Sequence, residues 1–286
     1  MLHAEHTVTI NRPASDVFDY LADGTHNRDW RNGVIQIERV SPTDGEGAKR
    51  FYSQLFGWES TDSPVGPNMV YTMLKQDGKD VGGLYQLPPE MKDQGVPPHW
   101  LSYVSVTSAD EASSQSKQLG GKLMKEPFDV MDAGRMAVIQ DPTGAVFAVW
   151  QPIKHAGAGI YNVPNSFCWN ELGTTDPGRA TEFYSKLFGW TANKQQFGEM
   201  EYTIFQNQGR GAGGAYKLTP EMGSVPPHWL VYFAVEDCDK TVEKATSLGA
   251  TTLAPPVEAP GVGRFSVLRD PQGAVFAVIK LTTPAQ

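Results

Sequence analysis

Glu171 and His228 are the two side chains best suited to moving a proton. Glu171 lies in the run FCWNEL (167–172), and His228 opens the run HWLVYFAV (228–235). Both runs read as strands from their aromatic and β-branched content. Side chains alternate along a strand, so residues of one parity share a face. One face of the second half of the chain then carries Trp169, Glu171, His228, Leu230, Tyr232, Ala277 and Ile279, with Tyr216 and Trp190 nearby. A carboxyl and an imidazole within hydrogen-bonding reach make a general acid–base pair. An aromatic lining with two or three polar groups suits a small organic ligand. His228 follows two prolines, so the competing reading is a histidine that caps its strand or bonds a carbonyl. Trp58 and Trp190 end apolar helical patterns and read as core. Arg135 and Arg264 each open a strand and read as surface arginines rather than anion sites.

The elements that must hold these residues are written twice. FYSQLFGW (51–58) returns as FYSKLFGW (183–190), an offset of 132 positions. PPHWL (97–101) returns at 226–230 and GAVFAV (144–149) at 273–278, each offset by 129. Solenoid repeats have periods of roughly 20–50 residues. This spacing matches a small domain of about 100–150 residues instead. The chain is therefore read as copy one (34–153), a linker (154–164) and copy two (165–286), after a leading segment (1–33).

In copy two, Asp176-Pro177 supplies a helix cap and a first-turn proline. Ala180, Phe183, Tyr184, Leu187 and Phe188 follow at helical spacing, and Gly189 ends the helix. Runs 201–206 and 212–218 read as strands, and then the order recurs. Strand 228–235 leads to a helix capped by Asp237 or Asp239, a Pro-rich loop, strand 264–268, a DPQG turn and strand 274–281. Each copy reads as a β-α-β-β-β unit written twice, an α+β fold. Copy one follows the same script, with His99 and Tyr103 in place of His228 and Tyr232. An ungapped alignment on the helix puts Ile37 where copy two has Trp169, and Arg39 where it has Glu171. On that register copy one lacks the carboxyl, and copy two is the expected site.

Composition narrows the partners. The 286 residues carry a net charge of −8 and no run of Lys and Arg, which argues against nucleic acid or an anionic membrane. No stretch approaches the ~20 apolar residues of a membrane span, and the start has no signal-peptide core. Cys168 and Cys238 have no counterparts in copy one and read as buried thiols rather than a disulfide framework, with the cytoplasm as the expected compartment.

The D-x-x-x-A-x-x-FY-x-x-LFGW helix (176–190, and 44–58 with local changes) and the DPxG turns (141–144, 270–273) resemble the vicinal oxygen chelate superfamily. That is the glyoxalase, bleomycin-resistance and extradiol dioxygenase group. The resemblance implies two tandem domains, each of paired βαβββ modules around a cleft. The GGxY strand and PPHW segment resemble its tandem glyoxalase-like branch. Metal-using members take His, Gln or Glu ligands from the first and last strands of each module. Carried onto this chain, those positions fall at Trp169, Leu230 and Ala277 in copy two, and at Ile37, Leu101 and Ala148 in copy one. None can hold a divalent ion, so the expectation is no metal and no cofactor. Separately, the run TVTINRPASDVFDYLAD through IQIERVSP resembles the opening of START-like polyketide cyclase domains over about 40 residues. It adds an expected short β-α extension whose last strand becomes the first strand of copy one.

The leading functional reading is a metal-independent protein binding a small, largely apolar molecule in an aromatic cleft. Its alternative is an acid–base enzyme of isomerase, cyclase or lyase type, with Glu171 and His228 acting on a carbonyl compound. A metal-dependent lyase or dioxygenase stands third. Internal pseudo-symmetry makes a monomer the expected state.

Overall fold

A computed structural model describes residues 33–41, 44–66, 69–86, 95–198 and 200–282. The expected β-α extension, whose sequence reads as a strand at 6–10 and a helix at 13–21, lies outside them. Copy one contains β1 (Val34–Ser41), α1 (Gly45–Phe56), β2 (Glu59–Gly66), β3 (Met69–Gln76) and β4 (Lys79–Gln86). It continues with β5 (His99–Ser105), α2 (Ala109–Gln118), β6 (Lys122–Val130), β7 (Gly134–Gln140) and β8 (Val146–Pro152). Copy two repeats this as β9 (Phe167–Thr174), α3 (Pro177–Phe188), β10 (Thr191–Phe197), β11 (Met200–Asn207) and β12 (Arg210–Lys217). Its second module is β13 (His228–Ala234), α4 (Cys238–Ser247), β14 (Thr251–Ala259), β15 (Gly263–Arg269) and β16 (Val275–Leu281).

Each copy closes its own curled eight-stranded sheet, ordered β2-β3-β4-β1-β5-β8-β7-β6 and β10-β11-β12-β9-β13-β16-β15-β14. The first strands of the two modules meet antiparallel at the centre, β1 with β5 and β9 with β13. The helices start where the sequence places caps. Asp44 and Asp176 accept from the backbone N–H of Gly47 and Arg179, and Gly57 and Gly189 end α1 and α3 in the left-handed conformation, at φ 77° and 71°. Asp237, not Asp239, caps α4. The outer strands β10 and β14 do not show in the sequence pattern. Both lie at a sheet edge and are mostly exposed, so their sequences carry polar residues and, in β14, Pro255 and Pro256.

The helices cover one face of each sheet, and the two copies share what lies beneath them. One core joins Tyr52, Phe56, Trp58 and Trp100 of copy one to Phe233 and Phe276 of copy two. Phe56 packs tilted on Phe233 at 5.0 Å between ring centroids, and Trp100 meets Phe233 edge to face at 5.2 Å. The other core joins Phe147 of copy one to Phe183, Tyr184, Phe188, Trp190 and Phe205 of copy two. Trp58 and Trp190 are therefore core residues.

All three repeated motifs meet in one hydrogen-bond relay that crosses between copies. Trp229 Nε1 donates to the Tyr184 hydroxyl (2.9 Å), which donates to Asp141 Oδ2 of copy one (2.9 Å). In the mirror relay Trp100 Nε1 donates to Tyr52 (2.9 Å), which donates to Asp270 Oδ2 of copy two (2.9 Å). The second oxygen of each aspartate folds its own turn. Asp141 Oδ1 accepts the N–H groups of Thr143, Gly144 and Ala145, and Asp270 Oδ1 those of Gln272 and Ala274. Arg39, fully buried, adds an ion pair to Asp270 (Nε to Oδ2, 2.8 Å). Its counterpart in copy two, by strand register, is Leu172.

Removing a buried hydroxyl from such a relay strands both neighbours. Tyr184→Phe leaves the Trp229 N–H and Asp141 Oδ2 without this partner, which costs about 1–3 kcal/mol per buried group left unsatisfied. Denaturant unfolding should show a loss in that range, with near-native circular dichroism in water. An unchanged midpoint would mean that the relay does not hold the copies together.

Candidate functional site

The faces away from the helices are concave and apolar, and each has one carboxyl at its centre. In copy two, Glu171 stands on β9 opposite Leu230 of β13, and Trp169 stands opposite Tyr232. Leu230, Tyr232, Ala277 and Ile279 form the buried floor, with Cys168, Trp169, Phe265 and Val267 half-buried around it. Tyr232 donates to Glu171 Oε2 at 2.7 Å. Tyr202 of β11 also bonds Glu171, and Trp169 Nε1 donates to the Tyr202 hydroxyl at 2.9 Å. Burial pushes the Glu171 carboxyl above its ordinary range, and the two tyrosine hydrogen bonds offset this only in part. Burial, then the nearby Glu171 charge, pushes the Tyr216 phenol up to about 12.

Glu171 and His228 share this face, but their hydrogen bonds go elsewhere. His228 stands opposite Gly173, two residues along β9 from Glu171, and its Nδ1 donates to the Pro226 carbonyl at 2.8 Å. His99 makes the same bond to Pro97 at 2.8 Å. The carbonyl-bonding role weighed for these histidines is thus present in both copies. Desolvation lowers the His99 pKa, with its Pro97 hydrogen bond opposing and the Arg39 charge adding.

The strand register corrects the ungapped alignment of the two copies. Glu38, not Arg39, stands opposite Leu101 as Glu171 stands opposite Leu230. Gln36, not Ile37, takes the place of Trp169, opposite Tyr103. Copy one therefore keeps the carboxyl. The cause is one extra residue between strand and helix: six positions separate Glu38 from the Asp44 cap, against five from Glu171 to Asp176. A one-residue slip moves every side chain to the other face, which is why Ile37 and Arg39 point into the shared core.

Glu38 is 7% exposed and accepts from Tyr103, from Tyr71 at 2.6 Å and from Gln36 at 3.1 Å. Burial raises its pKa against those three bonds. Gln36 in turn accepts from His155 Nε2 at 3.0 Å. His155 belongs to the segment read as a linker, which is tied to copy one here and where Gly159 N–H donates to the Asp80 carbonyl at 2.7 Å.

Each carboxyl thus sits within three tyrosines, Tyr71, Tyr85 and Tyr103 in copy one and Tyr202, Tyr216 and Tyr232 in copy two. Sequence reasoning missed Glu38, Tyr71 and Tyr202. The signal that finds them is the repeated GGxY. A Cβ at Gly83 would lie 2.0 Å from the Tyr71 hydroxyl, and one at Gly214 would lie 1.9 Å from that of Tyr202. These glycines are the slots through which the phenols reach the carboxyls beside them in the sheet.

The donor set does not fit a divalent metal. Among the described residues no three His, Cys, Asp or Glu side chains converge. The strand partners of each glutamate are Leu and Gly, and its oxygens are met by donor hydrogens rather than lone pairs. The arginines and cysteines lie aside from this chemistry. Arg135 pairs with Asp110 and Asp129, Arg264 with Asp239 and Glu258. Burial pushes the Cys168 thiol up to about 12 and the Cys238 thiol up to about 11.

The raised carboxyls set a pH dependence. The folded protein holds these protons more tightly than the unfolded chain does. Their contribution to stability is complete below the ordinary value of 4.5 and is lost as pH rises through the higher folded value. Glu171→Gln removes one such titration. Its unfolding free energy, measured by denaturant titration upward from pH 4.5, should fall less steeply with pH than that of the wild type. Parallel curves would show that Glu171 gains no proton on folding.

Comparison with known proteins agrees with this architecture. A family model described as glyoxalase/bleomycin resistance protein/dioxygenase superfamily matches residues 165–278, and one described as polyketide cyclase/dehydrase and lipid transport matches residues 1–83. The "Putative glyoxylase CFP32" of Mycobacterium tuberculosis is 39% identical over 254 residues, covering 88% of this chain and 96% of that protein. The anthracycline biosynthesis protein DnrV of Streptomyces peucetius is 36% identical over 241 residues, covering 81% and 87%. Among solved structures, the Mn(II)-bound glyoxalase from Novosphingobium aromaticivorans superposes with a TM-score of 0.61 at 17% identity, covering 90% of this chain and 84% of that one. The 2,3-dioxygenase LapB from Pseudomonas sp. KL28 gives 0.59 at 11% identity, covering 90% and 95%. With its two curled sheets, its twice-written modules and a relative matched over nearly its whole length, the chain belongs to the glyoxalase/bleomycin resistance protein/dioxygenase superfamily.

Proposed function

We propose that this chain is a metal-independent glyoxalase-like protein that binds a small, largely apolar organic molecule on the concave face of copy two. The observation that carries the reading is Glu171 itself. It is a lone carboxyl, held by tyrosine hydroxyls, on a face otherwise built from Leu230, Tyr232, Ala277 and Phe265. That is an apolar surface with a few convergent polar groups, the make-up of a small-molecule site. Copy two is favoured over copy one because Glu171, Trp169 and Tyr216 are half-buried, whereas Glu38 is enclosed by Gln36, Tyr71 and Tyr103. The relatives named as a glyoxylase and for anthracycline biosynthesis support a small organic ligand over a macromolecular partner. Among the described residues no helix is long and apolar enough to cross a membrane.

The raised Glu171 carboxyl supports a second reading, an acid–base enzyme acting on a carbonyl compound. A carboxyl whose pKa burial has raised is a better proton donor to a carbonyl oxygen and can take a proton back. In this reading Glu171→Gln abolishes turnover, while His99→Ala in copy one leaves it intact. An inactive but folded His99→Ala would move the site to copy one.

Metal analysis of the purified protein, with thermal-shift series in zinc, nickel, iron and manganese, tests metal independence. The expected result is substoichiometric metal and no shift. A stoichiometric metal with clear stabilisation would overturn the reading in favour of lyase or dioxygenase chemistry.

A further inference from the structure

A strap of backbone runs beside the concave face of copy one, and a single side chain fastens it. Residues 155–159 read His-Ala-Gly-Ala-Gly, so His155 is the only side chain there larger than a methyl group. Backbone bonds anchor the strap at both ends. The N–H groups of Ile153, Lys154 and His155 converge on the Ala133 carbonyl, each at 3.0 Å. Those of Gly159 and Ile160 reach the Asp80 carbonyl at 2.7 and 3.3 Å. Between the anchors, Gly157 takes a φ of 107°, where a side chain would be strained.

His155 turns inward from this strap. Its carbonyl accepts from Trp150 Nε1 at 2.9 Å, and its ring stands edge-on to that indole. Its Nε2 donates to Gln36 Oε1 at 3.0 Å. The direction of that bond is fixed, because the Gln36 amide nitrogen already donates to Glu38 Oε1 at 3.1 Å and to the Tyr71 hydroxyl at 3.3 Å. The hydrogen of the neutral ring therefore sits on Nε2, and Nδ1 carries a lone pair. Nδ1 faces Asp80 Oδ2 from 4.0 Å, beyond hydrogen-bond distance.

A second proton on this ring would place a cation where the nearest carboxylate is already paired, since Asp80 holds Lys75 at 2.9 Å. Lys75 of β3 opposes that proton, Asp80 of β4 favours it, and Glu38 of β1 is reached only through Gln36. Lys154, next on the strap, is turned to Asp132 at 2.6 Å. The His155 side chain is 22% exposed. Desolvation outweighs the Asp80 charge, with Lys75 adding to it, so the imidazole pKa lies below its ordinary 6.5.

We propose that His155 is a proton-operated latch on copy one: neutral, it holds the 155–159 strap against Gln36; charged, it leaves for water and opens the Gln36–Glu38 side of that face. The released ring takes up its proton near the ordinary value, and the latched ring only at lower pH. Closure is complete above 6.5 and is lost as pH falls from there through the lowered value of the latched ring. Copy two lacks this latch, because Trp169 takes the place of Gln36. What copy two binds does not enter into it.

Hydrogen–deuterium exchange of the full-length chain tests the latch, read on peptides spanning 153–160 and corrected for the intrinsic pH dependence of exchange. Between about pH 7.5 and about pH 5.5, protection of the wild-type strap should fall severalfold, with a ceiling of about tenfold for one pH unit below the ordinary imidazole value. Peptides from β13 to β16 should keep their protection, which separates release of the strap from general acid unfolding. His155→Gln keeps an N–H for Gln36 but gains no proton, so its strap should be equally protected at both pH values. Wild-type protection that is unchanged at low pH, or lost equally from β13 to β16, would overturn the inference. Greater protection at low pH would overturn it too, by showing that Asp80 draws the charged ring in. So would a pH response that survives His155→Gln, which would assign it to Glu38 or Asp80.

Discussion

Two buried aspartates organise this molecule, and each is satisfied from the other copy. A carboxylate without partners in an aromatic core is prohibitively costly. Asp141 and Asp270 avoid that cost by folding their own turns with one oxygen and accepting a tyrosine of the opposite copy with the other. The tyrosine is held in turn by the tryptophan that follows the histidine of the PPHW segment. The helix motif, the PPHW segment and the DPxG turn are repeated because they are three parts of one device used twice. Neither copy completes its relay alone, and the aromatic rings around each relay also come from both. The sheets therefore sit in fixed relation, and their concave faces are left for other work.

The central strands serve both functions by alternation. On β1, Arg39 faces the relay and Glu38 the concave face; on β9, Leu172 and Glu171 divide in the same way. That economy explains both the success and the error of reading the chain alone. Repeats, helix caps and the central strands are legible because each carries a local chemical signature. Register across the strand-to-helix connection is not, because a one-residue insertion leaves no mark in composition or periodicity. Aligning on the helix put Arg39 on the wrong face and hid Glu38. The edge strands β10 and β14 were illegible for a different reason. Neither strand buries a residue fully, so neither needs apolar residues at alternate positions. The role of His155 was hidden as well, since nothing local ties a residue of an aperiodic segment to Gln36.

Duplication left one frame and two environments. Both copies keep a carboxyl on the central strand, three tyrosines and a glycine slot beside the carboxyl. In copy one the positions around that frame are closed by the chain itself: Gln36 bonds the glutamate, His155 bonds Gln36, and Val40 fills the floor. In copy two the same positions hold Trp169 and Gly173, and the face stays partly open. A polar group that serves the fold is expected to be fully satisfied from within, as Glu38 is. One with unspent hydrogen-bonding capacity beside it, as in copy two, is consistent with the ligand site proposed for that copy.

The chemistry of the frame bears on what arrives. A metal-binding face must offer lone pairs, and several of them converging. Here the glutamate lone pairs are already directed at phenolic hydrogens, and the facing strand positions carry Leu230 and Ala277. What the copy-two face has left to offer is an imidazole nitrogen, a phenol and a carboxyl whose pKa burial has raised, all within an aromatic surround. Those groups suit the small organic ligand proposed for this face, whose own donors and acceptors would complete the set. They do not match an ion, which would need charge from a face that carries one carboxyl whose pKa burial has raised. The two copies thus share one scaffold and differ, glycine against valine, at a strand position beside these groups.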